Sequence, residues 1–235
     1  MQPKIAVGLE STLDILINFP ELEDFKEFSR SYDGELSPYL IRGYETLSAG
    51  SGGEIPIDGK GEEARELLEL AREAGAEVEY AFGGNGAQEA ATLENFGCDA
   101  VFLGGIFPKS FSFLDSEKRS NLDTSDTSFA WSPEDYRPSS YIFQATGSNR
   151  YILTDGEGRR IDQMRSYIRE LPSLIQEIED SHGDLDALSL VGWQVLFGMG
   201  LSEEDYRLTS RVIKGIRRNT DALLFSDAGG IGGLK

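Results

Sequence analysis

The chain has 235 residues, 39% of them hydrophobic and 10% aromatic, which excludes a disordered chain and allows one large domain with a proper core, or one domain plus a small one. Asp and Glu number 41 against 22 Lys and Arg, a formal net charge of -19. Such a surface repels nucleic-acid phosphates and anionic membranes, so neither is expected as a partner.

No apolar run approaches the ~20 residues of a membrane span. Met1-Gln2-Pro3-Lys4 lacks the apolar stretch of a signal peptide, and the single Cys98 cannot form an internal disulfide. The expected compartment is the cytoplasm. The acid is spread along the chain rather than gathered in a tail. A highly solvated surface, as in halophilic proteins, accounts for it more simply than an acid-specific binding role.

In chain order, Lys4–Val7 is a short apolar strand, and Ile15–Phe19 alternates as a second. Glu21–Tyr32 and Pro38–Ser48 carry helical spacing. Glu54–Ile57 is a short edge-like piece with a proline. Gly61–Ala74 is a helix, with Ala64, Leu67, Leu68 and Ala71 at spacings of three and four and Gly75 to end it. Glu79–Phe82 reads as a strand, Gly83–Gly86 as a turn, Ala87–Phe96 as a helix stopped by Gly97, and Ala100–Leu103 as a strand.

Phe107–Ser140 has no steady period and predicts a strand pair or a long loop. Ser140–Gln144 and Tyr151–Thr154 are strands. Met164–Glu179 is helical but contains Pro172, which predicts two helices or a kink. Ala187–Val191 is a buried-type strand, Glu203–Asn219 a helix and Ala222–Phe225 a last strand. Strands alternating with helices imply an α/β fold with a mostly parallel sheet. No repeat or linker divides residues 1–235, so a single unit is expected. The β-richer segments 9–57 and 107–154 would form a small lid.

The Gly83-Gly84-Asn85-Gly86 turn opens a helix and so exposes backbone N–H groups. It lacks the spaced third glycine of a dinucleotide fingerprint and the Gly-Lys-Ser/Thr of a P-loop. A nucleotide phosphate, a sugar hydroxyl and a ligand-free turn all remain open. Asp14, just past the first strand, can accept two hydroxyls or merely cap a turn. Glu54 follows a glycine run and is either a site acid or an exposed loop acid. Arg150, beside Asn149 at the mouth of a strand, can clamp an anion or make a surface salt bridge. His182 lies among acids on an expected surface loop, which suits a solvated histidine better than a base.

Taken in order, these pieces resemble the archaeal ADP-dependent sugar kinases, the ADP-dependent glucokinases and phosphofructokinases of the ribokinase-like fold. "AVGLESTLDIL" is similar to the family's early strand and sugar-holding Asp, matched by Asp14. "YLIRGYETLSAGSGGEIPID" resembles its glycine-rich segment ending in Glu-Val-Pro-Ile, which places Glu54 as a sugar-binding acid. Gly83-Gly84-Asn85-Gly86-Ala87 resembles a Gly-Gly-x-Ala-Gly turn, with Gln88-Glu89 in place of an apolar pair. Asn149-Arg150-Tyr151-Ile152 matches Asn-Arg-Phe-Ile, and Gly192 with Gln194 matches Ser-Gly-x-Gln.

The resemblance implies a three-layer ribokinase-like core with a small β lid. It implies a hexose or hexose-phosphate substrate held by Asp14, Glu54, Gly83, Gly84, Asn85, Asn149, Arg150 and Gln194, with ADP and Mg²⁺ as cofactors. On this reading the glycine turn serves the sugar rather than the nucleotide. The family's catalytic Asp, in a Gly-x-Gly-Asp turn at a helix N-terminus, has no match in the 235 residues, nor does its nucleotide loop or a metal-placing acidic motif. Asp227 precedes the terminal glycines instead of following them. The resemblance therefore covers roughly the N-terminal half of such a kinase. The expectation is a kinase portion, with a second chain able to supply the C-terminal half, or else a non-catalytic sugar-binding or structural homologue.

Overall fold

The computed structural model describes residues 2–9, 12–57, 59–103, 128–129, 139–155, 161–191 and 202–226. It is an α/β fold built on two largely parallel sheets, and it divides into two compact units.

The first unit takes residues 1–11, 82–136 and 159–235. Its sheet comprises β1 (Lys4–Gly8), β5 (Asp99–Phe102), β6 (Ser128–Phe129), β9 (Ala187–Leu190) and β10 (Leu223–Ser226), in the order β10-β9-β1-β5-β6. The pairings β1–β5, β1–β9, β9–β10 and β5–β6 are all parallel. Alternate residues of these strands enter two separate cores, as the period of two requires. Val7 and Phe102 meet Ala90 of α4 (Asn85–Asn95). Ala6, Val101, Leu188 and Leu190 meet α5 (Ile161–His182) and α6 (Glu203–Asn219). Helices on both faces make the three layers that the strand-helix alternation predicts.

The second unit takes residues 12–81 and 137–158. Its sheet runs β3 (Gly53–Pro56), β8 (Tyr151–Asp155), β7 (Ser139–Ala145), β2 (Thr12–Phe19) and β4 (Glu77–Gly83). β2–β7 and β3–β8 are parallel, and β7–β8 is antiparallel. Three helices accompany it: α1 (Leu22–Ser31), α2 (Ser37–Ser48) and α3 (Gly61–Glu73). Phe25 of α1 stacks on Phe143 and lies 5.2 Å from the Phe19 ring. Ala64, Leu67, Leu68 and Ala71 form the buried stripe of α3, at the spacing read from the sequence. Pro56, which has no N–H to donate, sits on an edge strand as expected.

α2 crosses β8 at Gly43. A Cβ there would lie 2.6 Å from the ring of Tyr151, itself 1% exposed. Gly43→Val is expected to destabilise the protein by about 2 kcal/mol through overpacking. Gly215→Ala, with nothing within 4 Å of the added carbon, should instead stabilise α6 by ~0.5–1 kcal/mol. Urea titration of both variants checks the pair.

Three elements differ from the sequence reading. β2 begins at Thr12, so Asp14 lies within a strand and not in the turn before it. α4 begins at Asn85, two residues earlier than expected, and takes in half of the glycine turn. Residues 161–182 form one helix through Pro172. The proline removes one N–H, but Tyr167, Ile168, Leu171, Leu174, Ile175 and Ile178 bury a continuous stripe on both sides of it, which outweighs the lost bond. His182 closes that helix instead of sitting in a loop.

Candidate functional site

β2 sorts its side chains by parity. Leu13, Ile15, Ile17 and Phe19 are buried, and Asp14, Leu16 and Asn18 alternate with them, only half-buried. Register carries the second face across the sheet, because directly paired residues point the same way. Asp14 pairs with Ser140, Ser140 with Thr154 and Thr154 with Pro56, forming one row. Leu16, Ile142, Ile152 and Glu54 form the next row, and Asn18 with Gln144 the third. Asp14 and Glu54 thus stand on one sheet face in neighbouring rows, although 40 positions separate them in sequence.

Each carboxylate is oriented by a threonine. The Thr12 hydroxyl donates to Asp14 Oδ1 at 2.8 Å. The Thr154 hydroxyl donates to Glu54 Oε1 at 2.6 Å. Burial pushes the Asp14 carboxyl above its ordinary value of 3.8. The Thr12 hydrogen bond and the positive charge of Arg150 pull the other way, and the negative charge of Glu54 adds to the rise. Asp14, Glu54 and Arg150 therefore share one electrostatic neighbourhood within the second unit.

Arg150 and Asn149 are fixed by the glycine run before β3. The Gly53 N–H donates to the Arg150 carbonyl at 3.2 Å. A Cβ at Gly52 would approach that carbonyl to 2.9 Å, so the residue type permits the docking. Asn149 Nδ2 donates to the Gly50 carbonyl at 2.6 Å, so this amide nitrogen anchors the loop. The Arg150 side chain is exposed and has no ion pair among the described residues. The face combines two oriented acceptors with one exposed guanidinium. That set suits hydroxyl donors beside an anionic group.

Gly83, Gly84 and Asn85 lie where β4 gives way to α4. Gly84 is the N-cap at φ +86, a backbone angle that favours glycine, and no side chain caps the helix. Gly83 is buried and Asn85 exposed. The Glu89 that departs from the family pattern accepts a hydrogen bond from the buried Ser189 hydroxyl of β9 at 2.7 Å, tying α4 to the sheet. Gln194 lies outside the described residues, as does Asp227.

The sequence reading missed Thr12, Thr154, Asn18, Ser140 and Gln144 on the acid-bearing face. Gln144 Nε2 donates to Asn18 Oδ1 at 2.5 Å. The polar alternation Thr12, Asp14, Asn18 is the local signal that the sequence carries for this face. Thr154 and Gln144 required the strand pairing itself.

No protein-family model matches the chain, and no curated protein matches it in sequence. Solved structures match in fold. A phosphofructokinase from Pyrococcus horikoshii OT3, crystallised with AMP, superposes with a TM-score of 0.59 at 14% identity. The match covers 98% of this chain and 59% of that one. A hypothetical ADP-dependent phosphofructokinase from the same organism gives 0.57 at 13% identity, covering 96% of this chain and 57% of that one. This chain spans less than three-fifths of either protein, and at that identity the likeness is one of fold: the chain has the α/β fold of these sugar kinases.

Proposed function

We propose that this chain binds a hexose or hexose phosphate on the acid-bearing face of its second sheet. It would do so as the sugar-side portion of an ADP-dependent sugar kinase of the glucokinase or phosphofructokinase kind. The observation that carries the reading is the placement of Asp14, Glu54 and Arg150 in one neighbourhood, with both carboxylates held by threonines. The carboxylates would accept sugar hydroxyls, and Arg150 would face a phosphate or a further hydroxyl. Asn149, next to Arg150 in the same unit, is proposed as a further sugar contact.

ADP and Mg²⁺ enter only through the likeness to the family. The described residues hold no group of three or more His, Cys, Asp or Glu able to bind a metal, and the sequence has no Gly-x-Gly-Asp turn. The described residues offer no set that fits the nucleotide and its metal, so no step of phosphoryl transfer is derived from them. The missing turn also supports a second reading, a sugar-binding homologue without catalysis. Assaying the purified chain with Mg²⁺, ADP and each sugar, alone and beside a chain that supplies Gly-x-Gly-Asp, separates the two.

Calorimetric titration with glucose and with fructose 6-phosphate tests the binding itself. Affinity should fall on acidification, beginning above the pH at which an ordinary Asp protonates, because a protonated Asp14 loses its strongest acceptor. No heat with either sugar at any pH would end the proposal.

A further inference from the structure

α5 and α6 lie side by side on the first unit's sheet, packed through Tyr167, Ile168 and Leu171 against Tyr206, Leu208, Val212 and Ile213. Between their N-terminal halves opens a cavity of about 480 Å³, lined mainly by charged side chains. Arg165 and Arg169 reach it from successive turns of α5. Glu204, Asp205 and Arg211 reach it from α6.

Asp205 is fully engaged. It takes Arg165 Nε at 2.6 Å on one oxygen and Arg165 Nη2 at 2.9 Å on the other. It also accepts the backbone N–H and hydroxyl of Ser202, at 2.8 and 2.7 Å. The ion pair fixes one wall of the cavity and cancels in charge. Arg169 and Arg211 remain, both exposed and neither with an ion-pair partner among the described residues, against the single carboxylate of Glu204. The lining is net positive on a chain of net charge -19.

That imbalance runs against composition. Acids outnumber bases 41 to 22, so an arginine with no other task has carboxylates in abundance to pair with. Two arginines from different helices instead line one cavity. Guanidinium forks match the oxygens of a phosphate, and the positive end of the α6 dipole adds to the same field.

We propose that the cavity between α5 and α6, with Arg169 and Arg211 as its anion contacts, binds a phosphate group, either free or carried on a small metabolite. The site does not depend on the sugar-binding reading, since its residues lie on the other unit's helices.

The test is calorimetric titration at low ionic strength with inorganic phosphate and with fructose 6-phosphate. The sugar phosphate is titrated into Asp14→Ala/Glu54→Ala/Arg150→Ala protein, which removes the proposed charged contacts of the sugar face. The double variant Arg169→Ala/Arg211→Ala should lose affinity by about tenfold or more for both probes. Arg217→Ala/Arg218→Ala, at the far end of α6, makes the same change in net charge and should have no effect. A stronger interaction with fructose 6-phosphate than with phosphate would identify a phosphorylated metabolite as the ligand, and equal affinities the bare ion. Absence of binding to the unmodified chain overturns the proposal, and so does equal loss in the Arg217/Arg218 control.

Discussion

Asp14→Ala and Glu54→Ala are each expected to weaken binding of a hexose or hexose phosphate by about ten- to a hundredfold. A hydrogen bond to a charged acceptor contributes ~1.5–3 kcal/mol, and a sugar hydroxyl that loses its carboxylate has only water in exchange. The more telling variant is Asp14→Asn. Burial raises the Asp14 pKa above 3.8. A carboxyl whose folded pKa exceeds its unfolded value favours folding less once both states are ionised. At neutral pH the charge at position 14 therefore opposes folding, and the opposition fades as pH falls through the folded pKa. Asn keeps an oxygen for the Thr12 hydroxyl and removes the charge. Asp14→Asn should accordingly unfold at equal or higher urea concentration than the parent at pH 7, while binding sugar more weakly. A purely structural Asp14 would give the opposite pattern, lower stability with sugar affinity unmoved.

The fold was legible because each layer writes its own period. The three-and-four stripe of Gly61–Glu73 and the apolar runs at Lys4–Gly8, Asp99–Phe102 and Ala187–Leu190 needed nothing beyond local pattern. Asp14 and Glu54 could be picked out as acids at suggestive places. Their membership of one face could not, because it depends on β7 and β8 lying between them, pairings more than 90 positions distant in sequence. Thr154 was invisible for the same reason. A threonine near the end of a strand has no special mark until the register sets its row beside Glu54. The start of β2 is not legible locally because Asp14 is a poor strand former by propensity. Leu13 and Ile15, buried on either side of it, override that preference. The arginine cavity escaped entirely. Arg165 and Arg169 belong to one helix and Arg211 to another, and only the packing of the two helices makes them neighbours.

Asp205→Ala is expected to destabilise the first unit by about 2–4 kcal/mol. The residue is 3% exposed and does two jobs at the start of α6. It closes the capping box with Ser202, its own N–H reaching the Ser202 hydroxyl and its carboxylate taking the Ser202 N–H. It also anchors Arg165 of α5 through two hydrogen bonds, which fixes the relative position of the two helices. Removing it leaves two orphan donors at a helix end and takes two hydrogen bonds from an arginine two-thirds shielded from water. Arg165 and then Ser202 hold the Asp205 carboxyl far below the ordinary carboxylate range. The folded pKa is thus lower than the unfolded one. The pair's contribution is fully present above the unfolded value of ~3.9 and is lost as pH falls from there toward the folded pKa. Thermal melts recorded from pH 7 down to pH 2 provide the check. The parent should lose stability steeply below about pH 4, and Asp205→Asn should show a lower melting temperature at pH 7 with a shallower acid limb. Equal melting temperatures at pH 7 for parent, Asn and Ala variants would mean that the ion pair and the capping box hold nothing together.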